Sequence, residues 1–177
     1  MCSRPQPSGE VCGDCQRWQK VYPWKIQHHG LYRYNDAMKA YIQSYKFSGD
    51  YRLRHVFAEE MKAEIKKYDV DLVIPIPVTD QTMATRGFNQ VRGWLEGVDL
   101  DDSLATKMEE KVAQSKKNRQ ERLKTPQIFN LNNPSEILGK RVLLVDDIYT
   151  TGRTIYHASE CLYNAGAASV VSLSLAR

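Results

Sequence analysis

RVLLVDDIYTTGRTI, residues 141–155, is the stretch whose reading decides the fold. Val142, Leu143, Leu144 and Val145 leave no polar side for water, so they predict a strand buried on both faces. Asp146 and Asp147 follow where that strand surfaces. Adjacent carboxylates repel, so the pair needs solvent, hydrogen-bond donors or a facing cation. No apolar pattern resumes until Ile155. The intervening loop is built for something polar.

In an open parallel sheet, ligands collect beyond the carboxyl ends of the strands. Residues 148–153 occupy that position and run straight into a helix, whose free N–H groups and positive dipole end suit a phosphate. Gly152 lets the backbone wrap closely, and Thr150, Thr151 and Thr154 offer hydroxyls. Asp146 and Asp147 only accept; they repel phosphate but hold vicinal hydroxyls, at about 1.5–3 kcal/mol per charge-assisted bond. A hydroxyl clamp beside a phosphate cradle describes a ribose 5-phosphate. The chain carries neither G-x-x-x-x-G-K-[ST] nor G-x-G-x-x-G, which argues against a P-loop or a dinucleotide fold.

Outward from this stretch, strands and helices alternate. Ile155, Ala158, Cys161 and Leu162 form a helical stripe that Gly166 stops, and SVVSLSLA reads as a closing strand. Upstream, Ala37, Met38, Tyr41, Ile42 and Tyr45 fall at helical spacing, with Asn35 or Asp36 as cap. A second helix is predicted from about residue 51 to 68, a buried strand over 71–78, and a helix from near Phe88 to Gly97. The alternation predicts an α/β fold with a parallel, right-handed sheet.

The 177 residues are 42% hydrophobic, enough for one good-sized domain, and no apolar run approaches a membrane span. The net charge of +4 is too mild to name a partner. No secretion signal opens the chain, and the uneven cysteines make a poor disulfide framework; both point to a reducing, cytoplasmic setting. Cys2, Cys12 and Cys15 crowd a Pro- and Gly-rich start without periodicity, as a metal cluster would, whereas Cys161 sits on an apolar helical face and reads as core.

VLLVDDIYTTGRTI closely resembles the phosphoribosyl pyrophosphate (PRPP) motif of type I phosphoribosyltransferases. The resemblance implies that Asp146 and Asp147 hold the ribose hydroxyls and that residues Ile148, Tyr149, Thr150, Thr151, Gly152, Arg153 and Thr154 hold the 5-phosphate, with Mg2+ accompanying PRPP. IPIPV followed by RGFNQ, the KFSGD after the first helix, and the basic QSKKNRQERLKTPQIF are similar to ComF-type competence proteins, ComFC-like ones above all. This second resemblance covers nearly the whole chain. It implies a Cys-rich zinc finger over residues 1–30 and a phosphoribosyltransferase-like domain over 31–177. It also implies a role in natural transformation on incoming single-stranded DNA, beside a ComFA-type helicase and DNA-processing proteins.

Structural Zn2+ takes four ligands. The family pattern places a further cysteine three positions ahead of Cys2, so the natural protein is expected to begin earlier; His28 and His29 are the nearby alternatives. Lys111, Lys116, Lys117, Arg119, Arg122 and Lys124 gather in one polar stretch. A solvated face, a loop closing over pyrophosphate, and a single-stranded DNA contact with Phe129 stacking a base all fit it. The resemblance includes Gln114 and Arg122 without naming their ligand. Arg86 fits either a pyrophosphate contact or a brace for the next helix, and Phe88 reads as packing. Two functions stay open: an enzyme displacing pyrophosphate from PRPP toward an unidentified base, and a binding protein that keeps the PRPP site and works on DNA through partners.

Overall fold

The computed structural model describes residues 2–4, 11–107 and 127–177. Its central element is β5, Arg141–Ile148, whose interior residues are buried without a break. Alternate side chains go to opposite faces of a strand. Val142 and Leu144 therefore join one apolar cluster, while Leu143 and Val145 join a second on the other face. Two cores, one on each side of a single sheet, explain the uninterrupted apolar run.

The sheet is four-stranded and parallel, in the order β1-β6-β5-β2, with β1 at Gln27–Tyr32, β2 at Leu72–Pro75 and β6 at Ser169–Ala176. Helices α2 (Asp36–Phe47) and α3 (His55–Ile65) carry the chain from one edge strand to the other. They cover one face together with α5 (Gln90–Trp94), through Met38, Ile42, Tyr45, Met61, Ile65, Val91 and Trp94. On the other face lies α6 (Arg153–Asn164), whose Ile155, Ala158 and Leu162 are buried as the stripe predicted. A small antiparallel pair, β3 (Leu104–Thr106) and β4 (Phe129–Leu131), packs on that side. A short polar helix, α4 (Asp80–Arg86), precedes α5 and buries no side chain. Among the described residues, no helix is long and apolar enough to cross a membrane.

Several expectations shift in detail. The helix expected over 51–68 is a 3-10 turn, Tyr51–Arg54, followed by α3; its end comes early because Tyr68 N–H turns back to the Ile65 carbonyl (3.1 Å). β5 continues through both aspartates, because β6 runs alongside and pairs Asp146 with Ser174 and Ile148 with Ala176. The aperiodic N-terminus contains a helix, α1 (Gly13–Val21), whose Trp18 is 2% exposed in the same core as α6. β1 pairs with β6 from Gln27 to Tyr32.

Candidate functional site

At the carboxyl end of β5, Asp146 and Asp147 are each 7% exposed, although they stand where the strand was expected to meet solvent. Buried carboxylates need donors. Asp146 Oδ1 accepts from the Asp147 N–H (2.8 Å) and Asp147 Oδ1 from the Ile148 N–H (2.6 Å). Side chains from elsewhere complete Asp147: Gln90 Nε2 donates to its Oδ2 at 2.7 Å, and the Lys46 ammonium forms an ion pair with the same oxygen. Arg86 donates through Nη1 to the Gln90 amide oxygen. An Arg86–Gln90–Asp147–Lys46 chain thus ties α2, α4 and α5 to the end of β5. Arg86 reaches the acid pair through Gln90.

The fold perturbs the protonation of Asp146. Burial raises its carboxyl to about 7, against the opposing pull of the Lys46 charge. A group raised in the folded state above its unfolded value of about 3.9 costs stability when ionised, so this contribution falls as pH climbs from about 4 through about 7. The same ionisation makes the carboxylate a full acceptor for hydroxyls.

The loop after the acids is fixed from three sides. Tyr149 N–H bonds the Ala176 carbonyl (2.9 Å), and its ring stacks on His28 at 4.0 Å between centroids, with the Arg177 guanidinium 4.5 Å from its centre. Trp18 Nε1 donates to the Thr151 carbonyl at 2.7 Å, and its ring stacks on Tyr156 of α6 (4.9 Å). Gly152 has φ +83°, and a Cβ there would meet the Tyr149 hydroxyl and stand 2.7 Å from its ring carbon. Only glycine satisfies both conditions. Gly152 then serves as the N-cap of α6. Thr150 is exposed and Thr154 half-buried, while Thr151 is buried and its hydroxyl accepts from Arg153 N–H (3.4 Å). Arg153 lies half-buried with its guanidinium carbon 5.9 Å from the Trp18 ring centre.

Cys2, Cys12 and Cys15 are buried with their sulfurs within 4.8 Å of one another, close enough to share one ion. The Cys2 thiol is lowered to about 5, chiefly by a hydrogen bond from Cys15, whose own thiol is raised in consequence. Three buried sulfurs in one cluster suit Zn2+, which takes cysteine ligands. The histidine alternatives for the remaining position do not hold. His28 is spent on Ser172 (3.0 Å) and Ser174 (3.1 Å), and burial lowers it to about 3; His29 turns to Glu64 (3.1 Å). Successive residues of β1 point to opposite faces, so the two cannot both approach the cysteines.

Phe129, the expected base-stacking partner, is 2% exposed and belongs to the core. Phe88 packs between Tyr45 (5.1 Å) and Tyr51 (4.8 Å) as read. Cys161 is half-buried against the apolar cluster. Lys111, Gln114, Lys116, Lys117, Arg119, Arg122 and Lys124 lie outside the described residues. Lys46 and Gln90 escaped the sequence reading as site residues. Their only signals were their places in KFSGD and RGFNQ, since neither lies near Asp147 in sequence.

A parallel strand ending in paired acids, then a glycine-dependent turn into a helix, defines a type I phosphoribosyltransferase-like domain, and residues 53–177 match the phosphoribosyl transferase domain family. Relatives narrow this class. Over 166 residues the chain is 42% identical to competence protein ComFC of Streptococcus pneumoniae, covering 94% of this chain and 74% of that one. Competence protein ComFC of Bacillus subtilis is 35% identical over 184 residues, covering 100% of this chain and 76% of that one. The chain belongs to the ComFC family of competence proteins. Among solved structures, the allosteric regulatory enzyme of purine biosynthesis aligns with a TM-score of 0.47 at 19% identity, covering 76% of this chain and 30% of that one.

Proposed function

We propose that the end of β5 binds the ribose 5-phosphate part of PRPP, and that this ligand-binding domain serves DNA transformation. The observation carrying the reading is the buried Asp146–Asp147 pair opening directly onto the Gly152 turn and the start of α6. The carboxylates accept the ribose 2- and 3-hydroxyls, and the loop N–H groups with Thr150 and Thr154 receive the 5-phosphate. Mg2+ arrives as part of the magnesium–PRPP ligand and screens its pyrophosphate charge. Lys46 stands against Asp147, so the acid pair alone offers no bare cation cage.

Ligand binding stabilises a fold by mass action, about 2.7 kcal/mol at a hundredfold excess over Kd. Magnesium–PRPP is therefore expected to raise Tm at pH 8, and to raise it less at pH 6.5, where the proton held by Asp146 must first leave. Equal stabilisation at the two pH values contradicts an ionised Asp146 in the complex. No stabilisation at either overturns the reading.

For the cell we infer the binding role over turnover. The relatives that match over nearly the whole chain are named for competence. Single-stranded DNA and a ComFA-type helicase are the partners this reading assigns, with Lys116, Lys117, Arg119 and Arg122 as the basic contact surface; transfer of ribose 5-phosphate to a base is the alternative. The Cys2–Cys12–Cys15 cluster is assigned to a structural Zn2+ inside an N-terminal module of residues 1–30. Protein purified with zinc is expected to hold one ion per chain, and Cys12→Ser with Cys15→Ser to hold none and melt lower. Unchanged zinc content in that variant removes the metal from these cysteines.

A further inference from the structure

We propose that Trp18 is a positioning residue that links the cysteine cluster to the ribose-phosphate loop, so that Zn2+ held by Cys2, Cys12 and Cys15 and PRPP held at the end of β5 raise each other's affinity. This rests on the ribose 5-phosphate reading and adds the regulation of that site by the metal. α1 is nine residues long, and its N-cap Cys12 makes no side-chain capping bond. A helix that short is marginal in water on its own. Its buried apolar side chains are Cys15 and Trp18, which stand three residues apart and share a face. Through the first, α1 reaches the sulfur cluster; through the second, it reaches the loop after the acids.

The indole contact is directional. Its Nε1–H donates to the Thr151 carbonyl at 2.7 Å. The Thr151–Gly152 peptide is trans, so its carbonyl and its N–H point opposite ways. The bond that draws the carbonyl toward α1 therefore aims the Gly152 N–H away from α1, as one of the loop donors assigned to the 5-phosphate. The ring is seated closely: a Cβ on Gly152 would stand 3.2 Å from Trp18 Nε1, and the indole stacks at 4.9 Å on Tyr156 in the first turn of α6. A ring buried for packing alone could have met any acceptor; this one meets the peptide that leads into Gly152. An indole carried off with α1 frees that peptide to rotate, whereas an indole kept in place holds the donor toward the ligand. Metal on the cysteines selects the second state, because it fixes Cys15 one turn from Trp18. Two ligands that favour one state favour each other, and by equal factors.

The test measures the factor from both sides, in the wild type and in Trp18→Phe, which keeps an aromatic ring and loses the N–H. Magnesium–PRPP is titrated calorimetrically into the reduced chain, zinc-loaded and stripped of zinc. Zinc affinity is read by competition with a chromophoric chelator, with and without magnesium–PRPP. In the wild type, loss of zinc is expected to weaken magnesium–PRPP about tenfold, the upper end for one net hydrogen bond, and magnesium–PRPP to tighten zinc by the same factor. Trp18→Phe is expected to hold zinc, to bind magnesium–PRPP as weakly as the stripped wild type, and to show each ligand indifferent to the other within about twofold. A merely structural role would lower the Tm of Trp18→Phe and leave the factor between the ligands intact. Should the stripped chain unfold, the chelator competition on the loaded chain reads the same factor. A wild type that binds both ligands independently overturns the proposal while sparing the ribose site, as does an undiminished factor in Trp18→Phe. A wild type that holds zinc but binds no PRPP overturns the ribose reading as well.

Discussion

Replacing Asp146 and Asp147 together by Asn is expected to abolish magnesium–PRPP binding, a loss of more than a hundredfold, while the fold survives. The carboxylates are the only described acids at this strand end whose geometry suits vicinal hydroxyls, and charge-assisted bonds to hydroxyls contribute about 1.5–3 kcal/mol each. Losing several exceeds the 2.7 kcal/mol that separates affinities a hundredfold apart. Asn keeps the shape and one acceptor: at 146 the amide oxygen still accepts from the N–H at position 147, while at 147 it serves either the Ile148 N–H or Gln90 Nε2, and the other donor must turn to a new partner. Stability has opposing terms. Removing the buried charge of Asp146 relieves its desolvation cost, whereas removing that of Asp147 leaves Lys46 without its counter-charge. Far-ultraviolet circular dichroism should therefore be unchanged and Tm should move by only a few degrees. A double variant that binds fully removes these acids from the ribose clamp.

Gly152→Ala is expected to damage both stability and the site. An L-residue at φ +83° costs about 1–3 kcal/mol in backbone strain, and forcing a methyl into a packed contact costs about as much again. For a domain of this size that corresponds to a fall in Tm on the order of 10 °C. The displaced group is Tyr149, whose ring is held by His28 and Arg177, so the loop cannot yield without uncoupling those contacts. Adding Tyr149→Ala should recover the steric part and leave the backbone part. An unchanged Tm, followed by thermal unfolding, contradicts the tight approach seen at Gly152.

Much of this was legible in the sequence because it is local. RVLLVDDIYTTGRTI carries its strand, its acids, its turn glycine and its helix start within one continuous stretch, and SVVSLSLA spans β6 end to end. The misses are non-local or polar. β1 reads QHHGLY, in which only a buried His28 held by two serines of β6 marks the inward face. α4 buries nothing, so no stripe announces it. α1 looked aperiodic because the apolar residues it buries are only Cys15 and Trp18; its reason to be helical lies in Thr151 and Tyr156, on the far side of the chain. Lys46 and Gln90 follow the same logic. Their chemistry is defined by Asp147, and only folding brings it to them.

That convergence changes how the N-terminal segment is seen. Trp18 donates to the carbonyl just before Gly152, and the three cysteines share a core with Tyr149 of the same loop. The Cys-rich module braces the turn on which the ribose-phosphate reading depends. Whatever orders the cysteines orders that loop.

The most direct test of the central claim is calorimetric titration of magnesium–PRPP into the wild type and the Asp146→Asn, Asp147→Asn double variant, side by side at pH 8. The account predicts saturable, one-to-one binding by the wild type and none by the variant. Equal binding by both, or binding by neither, would contradict a ribose clamp at the end of β5.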